Sequence, residues 1–210
     1  MKISAFVLAY IETEDQALMT DACINSLVGK VDNLILIDNG STYKYETPFG
    51  VSKTIKLPKN LMYIGGINAG IKACSETDCD YILLVTNDTE VVEGDLETLC
   101  IPDSLVFPKM VTQRRSRQPF YHGGFYCMPN DLSWIMHNDE YNFFFSDVEV
   151  FYRGIKAGHG MAYRPNVVVN HELWKTMKEG EERSGLYVKD QRIFIQRNNF
   201  NPDEESFLVI

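Results

Sequence analysis

DYILLVTNDTE, residues 80–90, decides the fold. The apolar run of residues 81–85 reads as a strand buried on both faces. It breaks off into Thr86, Asn87, Asp88 and Thr89, polar residues suited to the open end of such a strand. In open α/β sheets ligands bind outside the carboxyl ends of the strands. A carboxylate placed there can hold a divalent cation, and the cation can hold a phosphate. The stretch therefore points to metal-assisted nucleotide chemistry, with Asp88 as the metal-binding candidate. Asp88 read alone is equally well a turn aspartate bonding its own backbone.

The flanking sequence predicts more of the same sheet. Residues 3–10 and 33–37 (NLILI) read as strands, the second stopped by Asp38, Asn39 and Gly40. Residues 15–27 predict a helix and 53–57 a third strand. Residues 67–74 predict a helix opened by the pair Gly65 and Gly66. The order strand, helix, strand, strand, helix, strand implies a mostly parallel α/β sheet. The second half is less regular. Residues 105–107, a polar loop at 113–124 and an aromatic segment at 141–145 precede a predicted helix over 147–157, with Val148, Phe151 and Ile155 on one face. Residues 161–169 read as a strand interrupted by Pro165. A charged stretch and a segment of undetermined type, 187–196, follow.

Composition bounds the function. The 210 residues fit one domain, and 45% apolar with 23% charged is ordinary for a globular chain. A net charge of -9 argues against non-specific nucleic-acid binding. Five cysteines without a Cys-x-x-Cys pair fit free thiols in a reducing cytoplasm. The acidic residues after the first strand rule out a signal peptide, and no apolar run approaches the roughly 18–20 residues that span a bilayer.

Several further residues bear chemistry. Asp38 ends its strand as Asp88 does, and can accept a hydrogen bond from a base or ribose hydroxyl; Asn39-Gly40 beside it is also a turn signal. Gly65, Gly66, Asn68 and Gly70 suggest either a phosphate-cradling turn into a helix or close helix-on-sheet packing. Asp147, beside aromatic residues, suits a general base whose charged form is disfavoured by desolvation, or a carboxylate favoured at a helix N-terminus. His171 at a strand end suits a nitrogen ligand. Arg114, Arg115 and Arg117 form a basic cluster that can contact a phosphorylated acceptor.

In this order the pieces resemble the family two glycosyltransferases, nucleotide-sugar-dependent enzymes of the GT-A fold. LILIDNGST carries the nucleobase-contacting aspartate, here Asp38. NLMYIGGINAGIKAC is similar to the family's Gly-Gly-x-Asn-x-Gly helix start. DYILLVTNDTEV is similar to its metal-binding strand end, with Thr86 where the usual Asp-x-Asp has its first aspartate. FFFSDVEVFYRGIKAGHGMAYRP resembles its Phe-x-x-Glu-Asp block, with Ser146 in place of the glutamate.

The resemblance implies a single GT-A-like domain. Residues 1–100 would form the nucleotide-binding half, 101–175 the acceptor side and 176–210 an extension. It implies inverting transfer of a hexosyl or pentosyl unit from a nucleotide-diphosphate sugar to an acceptor hydroxyl; the net charge of -9, not the resemblance, favours a glycan or lipid-linked saccharide as that acceptor. Mn2+ or Mg2+ would sit on Asp88 and His171, and Asp147 would be the base. Tyr10, Glu12, Asp38, Gly65, Gly66, Asn68, Gly70 and Asn87 would bind the nucleotide-sugar. Three other readings keep the fold. The acidic YIETEDQ disfavours a sugar-nucleotide pyrophosphorylase. A non-catalytic nucleotide-sugar-binding module and a phage-type enzyme acting on a hydroxymethylated DNA base are the others.

Overall fold

The computed structural model describes residues 1–112, 123–141, 144–172, 181–199 and 201. Its elements are β1 (Ile3–Ala9), α1 (Glu14–Leu27), β2 (Asn33–Asp38), β3 (Lys53–Lys56), α2 (Met62–Ser75), β4 (Tyr81–Thr86), β5 (Thr89–Glu93), β6 (Ser104–Thr112), β7 (Phe125–Pro129), α3 (Ser146–Lys156), β8 (Gly160–His171) and α4 (Glu181–Asn198). One eight-stranded sheet runs in the order β3-β2-β1-β4-β7-β6-β8-β5. The first-half strands β3, β2, β1 and β4 pair in parallel. β7 joins β4 and β6 antiparallel, β6 pairs β8 in parallel, and β5 closes the far edge antiparallel to β8. Four of these seven pairings are parallel, so the sheet is mixed, and every antiparallel pair involves β7 or β5.

β1 is buried at all seven positions because both faces are covered. Its residues Ile3, Ala5, Val7 and Ala9 pack with α1, while Phe6 and Leu8 pack with α2. Helix α1 starts where the sequence TEDQ allows a capping box. Gln16 N–H donates to Thr13 Oγ1 at 3.3 Å, and Thr13 N–H donates back to Gln16 Oε1 at 3.2 Å. A third apolar cluster, Ile64, Tyr141, Phe145 and Phe194, seats α4 against α2 and the start of α3.

Three expectations need correction. Helix α2 begins at Met62, so Gly65 and Gly66 lie inside it instead of opening it. Glycine normally weakens a helix interior, but here its missing side chain lets α2 approach β1. A Cβ on Gly70 would lie 2.5 Å from Phe6 Cγ, and one on Gly66 would lie 3.0 Å from Leu8 Cδ2. The buried face of α3 is Val150, Phe151 and Gly154, with Ser146 and Glu149, while Val148 turns toward the α4 cluster. A polar Glu149 on the inner face defeats a pattern read from apolar residues alone. Finally, β8 continues through Pro165 to His171. The strand accommodates the proline in a bulge, where its register against β6 jumps from Pro108↔Arg164 to Lys109↔Val168.

Among the described residues, no helix is long and apolar enough to cross a membrane. All five cysteines are free thiols, as expected, with Cys23, Cys74 and Cys127 buried.

Candidate active site

Strand register sets the site. Ala9 stands opposite Asp38 and Leu8 opposite Thr86, so β1, β2 and β4 end together at one edge of the sheet. β7 runs the other way, and its entry arrives at that same edge. There Thr86 N–H donates to Gly124 O at 2.8 Å. His171 closes β8 opposite Thr89, bringing it to the loop after β4.

This convergence joins residues 83 positions apart. His171 Nε2 lies 3.1 Å from Asp88 Oδ2, with both side chains largely buried. Thr86 Oγ1 donates to the other carboxylate oxygen, Oδ1, at 2.5 Å, so the threonine at the first motif position orients the aspartate. The backbone closes the same turn through Glu172 N–H to Asp88 O at 2.8 Å.

Asp147 occupies the first turn of α3 and is half-buried. Its Oδ1 accepts from the Val148 N–H at 2.9 Å. Burial raises its carboxyl above the ordinary range, with backbone N–H groups of Val148, Asp147 and Gly123 acting in the opposite direction. A Cβ on Gly123 would lie 2.5 Å from Asp147 Oδ2 and 2.9 Å from the Tyr63 hydroxyl, so the bare glycine backbone fits between them. The Tyr63 hydroxyl donates to Gly123 O at 2.6 Å. Burial, then the Asp147, Tyr126 and Asp88 groups, pushes the Tyr63 hydroxyl upward.

Asp38 lies along the same edge. One oxygen accepts from Ser41 N–H at 2.9 Å, in the turn that Asn-Gly predicts, and the other lies 4.0 Å from Lys56 Nζ. Gly40 takes φ +75° there, and a Cβ would lie 2.5 Å from Asn60 N, so both its conformation and its surroundings demand glycine. Tyr10 donates to Glu12 Oε1 at 3.1 Å just past β1. Burial, then Glu12, raises the Tyr10 hydroxyl.

The remaining nucleotide-site candidates make contacts within the fold. Gly65, Gly66 and Gly70 belong to the packed helix. Asn68 bonds both backbone groups of His137, donating to its O at 2.8 Å and accepting from its N–H at 2.9 Å. Asn87 is buried and donates to Thr20 Oγ1 at 2.9 Å, tying the β4 loop to α1. The Arg114, Arg115 and Arg117 cluster lies outside the described residues.

Sequence reading missed Tyr63 and His137, which sit in apolar or irregular stretches with no periodic signal. It read Asn39 only as half of a turn. Its side chain accepts from Leu61 N–H at 2.9 Å and donates to Met62 O at 2.9 Å, anchoring the entry to α2.

The donors present suit a divalent cation. Asp88 and His171 offer a carboxylate and an imidazole side by side, and a hard cation that keeps water and phosphate oxygens as ligands needs few protein donors. No cluster of three or more His, Cys, Asp or Glu side chains suited to a metal occurs among the described residues.

Comparison with known proteins agrees with this fold. The model of the family described as Glycosyl transferase family 2 matches residues 4–100. Among solved structures, GalNAc-T7 with UDP, GalNAc and Mn2+ aligns with TM-score 0.70 at 12% identity over 94% of this chain and 50% of that one. The mannosyltransferase PcManGT from Pyrobaculum calidifontis, in complex with GDP-Man and Mn2+, aligns at 0.63 and 13% over 84% and 58%. Glucosyl-3-phosphoglycerate synthase from Mycobacterium tuberculosis, with Mn2+, UDP and glucosyl-3-phosphoglycerate, aligns at 0.62 and 15% over 95% and 80%. The chain thus spans 50% and 58% of the length of the first two. No curated protein matches the sequence. The chain resembles the family two glycosyltransferases, and its fold is GT-A.

Proposed function

We propose that this chain is a glycosyltransferase that takes a nucleotide-diphosphate sugar and transfers the sugar to an acceptor hydroxyl with inversion. The observation that carries the reading is the joining of Asp88 and His171 at 3.1 Å on the edge where β1, β2 and β4 end, with the Asp147 carboxyl against Gly123, the neighbour of the Gly124 whose carbonyl Thr86 binds. Asp88 and His171 would hold Mn2+ or Mg2+. When bound, such a cation supplies positive charge against the diphosphate.

The protein's own groups do the rest. Asp38, with its shallow exposure and Ser41 contact, accepts a hydrogen bond from the base or ribose. Tyr10 and Glu12 border the same face. The acceptor oxygen forms a bond to the anomeric carbon as the bond to the diphosphate oxygen breaks, and the acceptor proton passes to the Asp147 carboxylate. A carboxyl raised by burial is matched to that task, because a base works best when its proton affinity lies near the working pH. The half formed by residues 101–175 is assigned to the acceptor, and the net charge of -9 favours a glycan or lipid-linked saccharide over DNA.

The test is nucleoside-diphosphate release from UDP-GalNAc, UDP-glucose and GDP-mannose with manganese. Asp147→Asn should lower turnover about 10²-fold or more while UDP or GDP still binds. Unchanged turnover removes Asp147 from the base role, and a parent protein that neither binds nor turns over any of the three overturns the reading.

A further inference from the structure

Beneath Asp147 lies a buried polar network that the transfer chemistry leaves unused. His137 is 3% exposed and Ser146 and Tyr126 are 0% exposed. The His137 imidazole spans the last two, with Nδ1 at 3.1 Å from Ser146 Oγ and Nε2 at 3.2 Å from the Tyr126 hydroxyl. We infer that His137 is a positioning residue that holds the first turn of α3, and with it the Asp147 carboxylate, in its working orientation. The inference rests on the base role proposed for Asp147.

Three observations carry it. First, the backbone that carries the ring is anchored. Asn68 clamps both backbone groups of His137, and the Arg153 guanidinium donates to the carbonyl of Met136, the residue before it. Second, the network reaches Asp147 by two routes. Ser146 is its chain neighbour, and the ring of Tyr63 meets the His137 ring edge-on at 5.6 Å while its hydroxyl holds Gly123, which abuts the Asp147 carboxylate. Third, the ring keeps one donor and one acceptor nitrogen. Burial, followed by the nearby Arg153 cation, lowers its proton affinity to a pKa of about 3, so it stays neutral and can serve a hydroxyl on each side.

A phenylalanine would fill this volume without polar atoms to satisfy. An apolar core is usually no less stable than a buried polar network, so a network kept under a reactive carboxyl serves orientation. α3 also starts under constraint, because its cap Phe145 takes φ 61°. Ser146 is the next residue, and its side chain is what the imidazole holds.

The experiment compares His137→Phe, His137→Gln, Ser146→Ala and the double variant His137→Phe/Ser146→Ala. Steady-state release of nucleoside diphosphate is measured on whichever of UDP-GalNAc, UDP-glucose and GDP-mannose the parent turns over fastest. His137→Phe should lower kcat by about tenfold or more with KM little changed, as expected for a misplaced reacting group. Glutamine, which can donate and accept, should restore most of that loss. Adding Ser146→Ala to His137→Phe should cost little more, since both remove one interaction.

A folded His137→Phe with parental kcat, a rise in KM alone, or fully additive losses overturns the inference. Should His137→Phe fail to fold, Ser146→Ala alone must show the kcat loss. The midpoint of the Asp147 carboxyl ¹³C titration supplies a readout that needs no turnover. It should move in His137→Phe or Ser146→Ala, and an unmoved midpoint in both overturns the inference. Failure of the base reading looks different, because Asp147→Asn itself then keeps turnover.

Discussion

Replacing Gly70 with alanine asks whether the glycines of α2 serve packing or phosphate. A Cβ there would lie 2.5 Å from Phe6 Cγ, and closer still to Cδ2 and Cε2. Carbon atoms prefer roughly 3.5 Å or more, so helix and ring must separate by about 1 Å. Phe6 is fully buried in the middle of β1, held between Ile35 of β2 and Leu84 of β4. It has nowhere to turn, which puts the overpacking cost near the upper end of about 1–3 kcal/mol. The better helix propensity of alanine returns about 1 kcal/mol. The net loss is about 2 kcal/mol, or about 4–8 °C in Tm for a chain of this size. Gly185 in α4 is the control, because nothing lies within 4 Å of a Cβ there. Gly185→Ala should gain up to about 1 kcal/mol. Calorimetry and urea unfolding read both variants, and UDP titration of folded Gly70→Ala should match the parent. A rise in Tm for both variants, or an unchanged Tm with lost UDP binding, refutes the packing account and restores a phosphate turn.

Two further outcomes follow from charges. Burial raises the Asp147 carboxyl, so its favourable contribution to folding is complete below the ordinary value of 3.8 and is lost as pH rises through the raised folded value. Asp147→Asn should therefore have a higher Tm than the parent at about pH 7, with the gap closing as pH falls below about 4; a lower Tm at neutral pH contradicts this. Arg197→Ala removes the partner at 2.7 Å from Glu149, which is 2% exposed. Leaving that carboxylate buried without its partner should cost about 2–3 kcal/mol in urea unfolding, less than for a fully buried pair because Arg197 is partly solvated. Glu149→Gln added to Arg197→Ala should recover part of it, and a midpoint unmoved by Arg197→Ala rejects the pair as an anchor of α4.

The parallel half of the fold was readable because its strands are buried on both faces and announce themselves as apolar runs. NLILI and YILLV could be little else. Asp38 and Asp88 were readable for the same reason, since each stands where such a run stops. The pairing of Asp88 with His171 could be expected only through the resemblance, because their contact depends on β8 lying between β6 and β5. Gly65 and Gly66 misled, since a glycine pair signals a break unless its neighbour in space is known. β7, with sequence FYCMP, has no alternation and ends in proline, so nothing local marks it as a strand. Asn68 and Asn87 have the composition of ligand contacts, and only the fold reveals that His137 and Thr20 already engage them. His137 carries no pattern at all, because the network it completes is assembled from α2, β7 and α3.

The central claim is that Asp88 and His171 create a cation-dependent nucleotide site. Titrating UDP and GDP into the protein by calorimetry, with manganese and then with EDTA, tests it directly, in the parent and in Asp88→Ala. The parent should bind one of the two with manganese and lose that binding in EDTA, and Asp88→Ala should weaken the manganese-dependent binding by about 10–100-fold. Binding that is equally tight in EDTA, or untouched by Asp88→Ala, contradicts the account.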